Sequence, residues 1–178
     1  MDEGFLLETE RLRLRAYRPE DIDDLHAMFS DPEHMRFYPA TFDPEETRTW
    51  VDRQLAGYQE RGFALWIVED RGTGGFVGTA GPALLLVDGA DEVEIGWHTR
   101  RDLWGQGIAV EAGAAARDWA FANLDVDHVI SLVQPENRPS CRVAEKIGMY
   151  VDREVDYKGV RHFVYRFDRV EQAARVGR

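Results

Sequence analysis

Two glycines, Gly105 and Gly107, stand in the stretch WGQG, after a strand-like segment EVEIGWHT (Glu92–Thr99) and before an alanine-rich run. The first turn of a helix carries unpaired N–H groups and the positive end of its dipole, so it can hold an anion. Glycines there leave the approach open and let successive amides converge. By itself, G-x-G marks a tight turn as readily as a phosphate cradle. The neighbouring letters exclude two phosphate motifs. No GK[ST] follows, so this is not a P-loop. No third glycine falls at the dinucleotide spacing.

Alternation through EVEIGWHT puts Glu92, Glu94, Gly96 and His98 on one face and Val93, Ile95 and Trp97 on the other. Glu94 offers a carboxylate that can take a proton, and His98 is the rival base. A solvated strand face would account for the acids as well, because Asp91 and Glu92 are also there. Asn137, at the head of NRPSCRVAEKIGM, is a favoured helix cap.

These residues need elements to position them. RLRLRAY (Arg11–Tyr17) alternates and predicts a half-buried strand. Pro19 opens a helix striped by Ile22, Leu25 and Phe29, which Asp31-Pro32 ends. Asp43-Pro44-Glu45-Glu46 has the form of a capping box, and Gly62 can close that helix in a left-handed conformation. A meander follows, through Phe63–Val68, Phe76–Val87 and Glu92–Thr99, with Asp88-Gly89 as a hairpin turn. The last of these is expected as the fourth strand overall. From Gly107 to Leu124 the pattern is helical, with Ile108, Ala112, Ala115, Trp119 and Ala122 on one face. A short strand (His128–Val133), a helix (Asn137–Ile147) and two strands around Lys158-Gly159 complete the order. Meanders followed by alternation predict an α/β sandwich on a mixed sheet, not repeated βαβ units. After Asp168 the chain is polar and expected to fray.

The chain has 178 residues, 44% of them hydrophobic, enough for one domain with its own core. Its net charge of −11 argues against nonspecific binding to nucleic acid or an anionic membrane. That charge fits a cationic acceptor such as an amine, and fits a merely solubilising surface equally. No apolar run reaches the roughly 20 residues of a membrane span, and no signal-peptide core precedes Glu8, so a cytoplasmic location is expected. One cysteine, Cys141, and scattered histidines give no metal-ligand spacing, so no metal is expected. Cys141 itself reads as a helix residue.

EIGWHT with WGQGIAVEA, and later NRPSCRVAEKIGM, resembles the GNAT superfamily of N-acetyltransferases, most of all its Rim-type ribosomal-protein α-amino acetyltransferases. ETERLRLRAYRPED, SDPEHMRFYP and DYKGVRHFVYRF resemble that group's opening strand and helix, substrate-side segment and final hairpin, so the likeness runs from about Leu7 to Phe167. It implies a single GNAT-like domain over residues 7–168, with a mixed, mostly antiparallel central sheet flanked by helices, and a polar tail at 169–178. It implies acetyl-coenzyme A as the acyl donor and a small-molecule or peptide amine as the acceptor, with a homodimer allowed. The family pattern [QR]-x-x-G-x-[GA] falls on Trp104, Gly107 and Ala109. Trp104 departs from Gln or Arg, but an aromatic is common there in the Rim-like group, and backbone amides do most of the binding.

The resemblance assigns donor binding to Trp97, His98 and Thr99, mainly through main chain, to Trp104, Gly105, Gln106, Gly107, Ile108 and Ala109, and to Asn137 and Ser140. It gives Ser140 a second role beside the thioester sulfur and gives Glu94 the role of base. Met35, Phe37, Tyr38 and Trp50 are candidates for the acceptor side. Arg138 and Arg142 are candidates for the donor's 3′-phosphate. Transfer of a longer acyl group such as succinyl, or an inactive coenzyme A-binding module, are the competing expectations.

Overall fold

Leu12 and Leu14 alternate with arginines and are buried in β2 (Leu12–Arg15), a shorter strand than the alternation suggests. Arg15 is buried with them. Its guanidinium bonds Asp21 in a fork at 2.8 and 2.6 Å and Glu69 at 2.6 Å, which supplies the pairing a buried charge requires. The computed structural model describes residues 5–169. It adds an antiparallel partner for β2 that the sequence reading lacks, β1 (Phe5–Glu8). EVEIGWHT is therefore the fifth strand, not the fourth.

A 3-10 turn at Pro19–Asp21 leads into α1 (Ile22–Phe29). α2 (Pro44–Arg61) starts on the expected capping box. Asp43 accepts from the Glu46 N–H at 2.8 Å, and Glu46 accepts from the Asp43 N–H at 2.8 Å. Gly62 ends α2 at φ +79°. The meander comprises β3 (Trp66–Asp70), β4 (Phe76–Val87) and β5 (Ala90–Thr99). Asp88 and Gly89 turn β4 into β5 with positive φ at both positions, as a type I′ hairpin needs. α3 (Ile108–Asn123), β6 (His128–Val133), α4 (Arg138–Lys146), β7 (Tyr150–Tyr157) and β8 (Val160–Asp168) follow.

The strands form one sheet in the order β1-β2-β3-β4-β5-β6-β8-β7, antiparallel throughout except between β5 and β6. This is the mixed, mostly antiparallel α/β architecture expected. One face carries a core built with α3 and α4, including Leu14, Ile95, Val129 and Ala144. The other carries a core built with α1 and α2, including Leu25, Phe29, Val51 and Ile67.

α3 is turned relative to its expected face. Ala112, Gly113, Ala116 and Ala120 are buried, while Ala122 is exposed and Trp119 sits at the rim, edge-on to Trp66 at 4.9 Å. Small residues make up the buried face, and the Trp97 ring packs beneath Gly113. A Cβ on Gly113 would lie 3.4 Å from the Trp97 ring. Arg169 does not fray: its N–H bonds the Asp127 carbonyl at 2.7 Å and its guanidinium bonds the carbonyls of Val126 and Leu124. The rest of the 169–178 tail lies outside the described residues. No helix among them is long and apolar enough to cross a membrane.

Candidate active site

The parallel ladder between β5 and β6 consists of one register pair, Glu94 with Ile130. Beyond it, side chains make the links. The Ser131 hydroxyl donates to the Ile95 carbonyl at 2.6 Å, and the Leu132 N–H donates to Glu94 Oε1 at 3.2 Å. Main-chain direction alternates along a strand. The Arg100 N–H bonds Val77 at the β4 side, so the main chains of Trp97 and Thr99, like Ile95, face the gap. A cleft of about 460 Å³ opens there.

The loop after β5 forms one wall. Gly105 and Gly107 have φ of +78° and +80°, and Gly107 is the N-cap of α3 without any side-chain cap. The first intrahelical bond runs from the Glu111 N–H to the Gly107 carbonyl at 3.0 Å. The amides of Ile108, Ala109 and Val110 therefore have no intrahelical partner. Trp104, Gly105, Gly107, Ile108 and Ala109 line the cleft. The Trp104 indole donates to the Thr99 carbonyl at 2.8 Å, which pins the loop across the end of β5. Gln106 is not on the wall; its carbonyl accepts from Arg11 Nη1 at 2.9 Å.

The head of α4 forms the opposite wall. Asn137 caps the helix, its Oδ1 accepting from the Ser140 N–H at 3.2 Å, and both residues line the cleft. Arg142 and Lys146 continue that wall, and Arg138 is not on it.

Tyr38 and Phe37 close the third side, with the Phe37 carbonyl held by Gln134 Nε2 at 2.7 Å. Met35 and Trp50 are not on the cleft. Met35 is buried in the α1/α2 core, and Trp50 packs on Phe29 at 5.3 Å while its indole donates to the Tyr17 hydroxyl at 3.3 Å. Side-chain direction in the loop after α1 leaves no periodic trace in sequence, so lining and packing residues look alike there.

Two titratable groups meet at this side. Burial pushes the Glu94 carboxyl up to about 7, against the pull of the Leu132 N–H. Burial, with His34 nearby, pushes the His98 ring down to about 3. His98 Nε2 lies 2.7 Å from the Tyr38 hydroxyl and Nδ1 lies 3.0 Å from the Thr79 hydroxyl. Burial, then the Glu94 charge, raises the Tyr38 phenol. At neutral pH the imidazole is uncharged and stands between the Tyr38 and Thr79 hydroxyls, while the Glu94 carboxyl is near its own titration range. Glu94 is not among the residues that line the cleft. Thr79 and Arg11 carry no sequence signal that would have singled them out. No cluster placed to hold a metal occurs among the described residues.

Residues 11–150 match the acetyltransferase (GNAT) domain. The chain is 36% identical over 150 residues to the protein YkkB of Bacillus subtilis, covering 84% of this chain and 87% of that one. It superposes on an acetyltransferase of Agrobacterium tumefaciens with a TM-score of 0.80 and 31% identity, over 92% of this chain and 94% of that one. It shares its fold, with a TM-score of 0.71 at 19% identity, over 94% of this chain and 98% of that one, with RimL, a ribosomal L7/L12 α-N-protein acetyltransferase solved with coenzyme A.

Proposed function

The chain belongs to the GNAT acetyltransferase family, and we propose that it acetylates a primary amine with acetyl-coenzyme A by direct attack in a ternary complex. The observation that carries this reading is the convergence on one cleft of two sets of main-chain groups. Three uncapped amides lie at the head of α3, and the strand edge of Trp97 and Thr99 lies beside them.

The residues fit the donor. Gly105 and Gly107 put no side chain in front of the Ile108, Ala109 and Val110 amides, which suits a pyrophosphate. The exposed edge of β5 can pair with the amides of a pantetheine arm as an added strand would. Asn137 and Ser140 stand across from that edge. Bound acetyl-coenzyme A supplies an activated acetyl thioester.

Glu94 takes the proton of the incoming ammonium through water, because it does not itself line the cleft. A carboxylate near 7 is better matched to an α-amine, at about 7.7–8.0, than to a lysine at about 10.4. A main-chain N–H of the Trp97–Thr99 edge donates to the oxygen on which charge develops. The Ser140 hydroxyl donates to the departing thiolate. His98 holds Tyr38, and Tyr38 with Phe37 bounds the acceptor side.

The test is binding and then turnover. Acetyl-coenzyme A should raise the melting temperature, and mass spectrometry of a panel of N-terminal peptides and small amines should find a product 42 Da heavier, the mass of one acetyl group in place of hydrogen (roughly, as for any covalent acetylation). A chain that acetyl-coenzyme A, succinyl-coenzyme A and coenzyme A all leave unshifted does not use this donor.

A further inference from the structure

Glu111 stands in the first turn of α3, where an acid is normally drawn toward the helix's own free amides. Here it turns away. Its Oε1 accepts from the Thr9 hydroxyl at 2.6 Å and the Arg11 N–H at 2.9 Å, and its Oε2 accepts from Arg11 Nε at 2.6 Å. The same guanidinium reaches on to the cradle loop, where Nη1 donates to the Gln106 carbonyl at 2.9 Å. Burial alone would push the Glu111 carboxyl up, yet the bonds from Thr9 and Arg11 hold it below the ordinary carboxylate range. One side chain from just before β2 thus touches two groups that would each oppose an anion: a carbonyl dipole in the loop and a carboxylate in the first turn of the helix.

We propose that Arg11 is a positioning residue for the donor's pyrophosphate: it turns the Gln106 carbonyl out of the cradle and holds the Glu111 carboxylate off the amides of α3. This rests on the reading that the loop holds coenzyme A. Without the guanidinium, the Gln106 carbonyl loses its anchor, and Glu111 keeps its charge with only the Thr9 hydroxyl and the Arg11 N–H to hold it. Coenzyme A then meets a carbonyl and an unneutralised carboxylate. Pantetheine, which lacks the pyrophosphate, meets the same strand edge as before.

The experiment measures coenzyme A binding by calorimetry and pantetheine binding by ligand-observed NMR on the full chain, with circular dichroism to follow folding. Arg11→Ala is expected to weaken coenzyme A roughly tenfold, the scale of one charge-assisted hydrogen bond, and to leave pantetheine unchanged. Adding Glu111→Gln to Arg11→Ala is expected to restore several-fold of that loss, because it removes the charge that Arg11 had neutralised. Arg11→Lys, which keeps charge but loses the fork, should fall between wild type and Arg11→Ala, and it decides the matter if the alanine variant does not fold. Equal binding of coenzyme A by wild type and both Arg11 variants overturns the proposal. So does an equal loss of coenzyme A and pantetheine, or a double variant no better than Arg11→Ala. Wild-type protein that binds no coenzyme A overturns the underlying reading instead.

Discussion

Leu132 donates its N–H to Glu94 Oε1 at 3.2 Å, so a side chain stands where the next backbone rung between β5 and β6 would be. The point at which the two strands part is therefore also where the carboxylate is held. Parting opens the strand edge of Trp97 and Thr99, and burial at the same point raises the carboxyl to about 7. The proposed donor site and the proposed base thus share one irregularity of the sheet.

Glu94→Gln is expected to lower turnover about a hundredfold or more, the usual scale of a general base, with little change in acetyl-coenzyme A affinity. The glutamine carbonyl can still accept from Leu132, so the strands should part as before. In the wild type the rate should rise with pH through about 7, because only ionised Glu94 accepts a proton. A pH–rate profile with no inflection near 7, or a glutamine variant of full activity, removes Glu94 as the base.

The same carboxylate has a stability signature. Its pKa is about 7 folded against an ordinary 4.5, so the folded state binds the extra proton. Stability falls as pH rises between those values, and the full cost is present above about 7. Glu94→Gln should lack that fall and be the more stable protein at alkaline pH. Urea unfolding at several pH values checks it; parallel curves for the two proteins contradict it.

His98 has the opposite sign. Its ring is pushed from 6.5 to about 3, so the unfolded chain binds the proton first. Its contribution is whole above 6.5 and is lost as pH falls toward 3. His98→Asn should therefore flatten the acid side of the stability curve while leaving the inflection of the rate profile near 7 in place. An inflection that moves with His98 would make the imidazole the titrating base.

Much of this was legible in the sequence, and the boundary is physical. The α2 capping box, the Asp88-Gly89 turn and the order of β4, β5, α3 and β6 are set by neighbours within a few residues, so local chemistry marks them. β1 leaves no such mark because Phe5–Glu8 has only four residues and its three apolar ones run consecutively, without alternation. The face of α3 is not legible because Ala112, Ala115 and Ala116 are alike in hydrophobicity, so only tertiary packing, such as that of Gly113 on the Trp97 ring, separates them. Phe37 and Tyr38 cannot be told from Met35 for a similar reason, since all three lie in the irregular loop after α1, whereas Trp50 lies on α2 and packs on Phe29. The Arg11–Glu111 contact joins residues 100 apart, and nothing local to either announces the other.

Ser140→Ala separates two roles in one residue. The Ser140 N–H, not its hydroxyl, holds the Asn137 cap, so α4 should keep its start in the variant. Turnover is expected to fall about tenfold and acetyl-coenzyme A affinity to stay, since a thiol of pKa about 8.5 needs only modest help to leave. A loss of affinity that matches the loss of turnover would assign the hydroxyl to donor binding instead.

Gly78→Ala and Gly105→Ala test the two supports of the proposed donor site against each other. A Cβ on Gly78 would lie 2.1 Å from the His98 carbonyl oxygen and 3.0 Å from Thr99 Cα, both backbone, so β5 itself would have to shift. That substitution should cost more than about 3 kcal/mol of stability and carry the Trp97–Thr99 edge with it. Gly105 has open space around its Cα, and only its φ of +78° opposes a side chain. Gly105→Ala should cost about 1–2 kcal/mol and act chiefly on coenzyme A affinity. Urea unfolding gives the first ordering and calorimetry the second. If the two variants lose stability equally, the close approach of β4 to β5 at Gly78 is not what holds the strand edge in place.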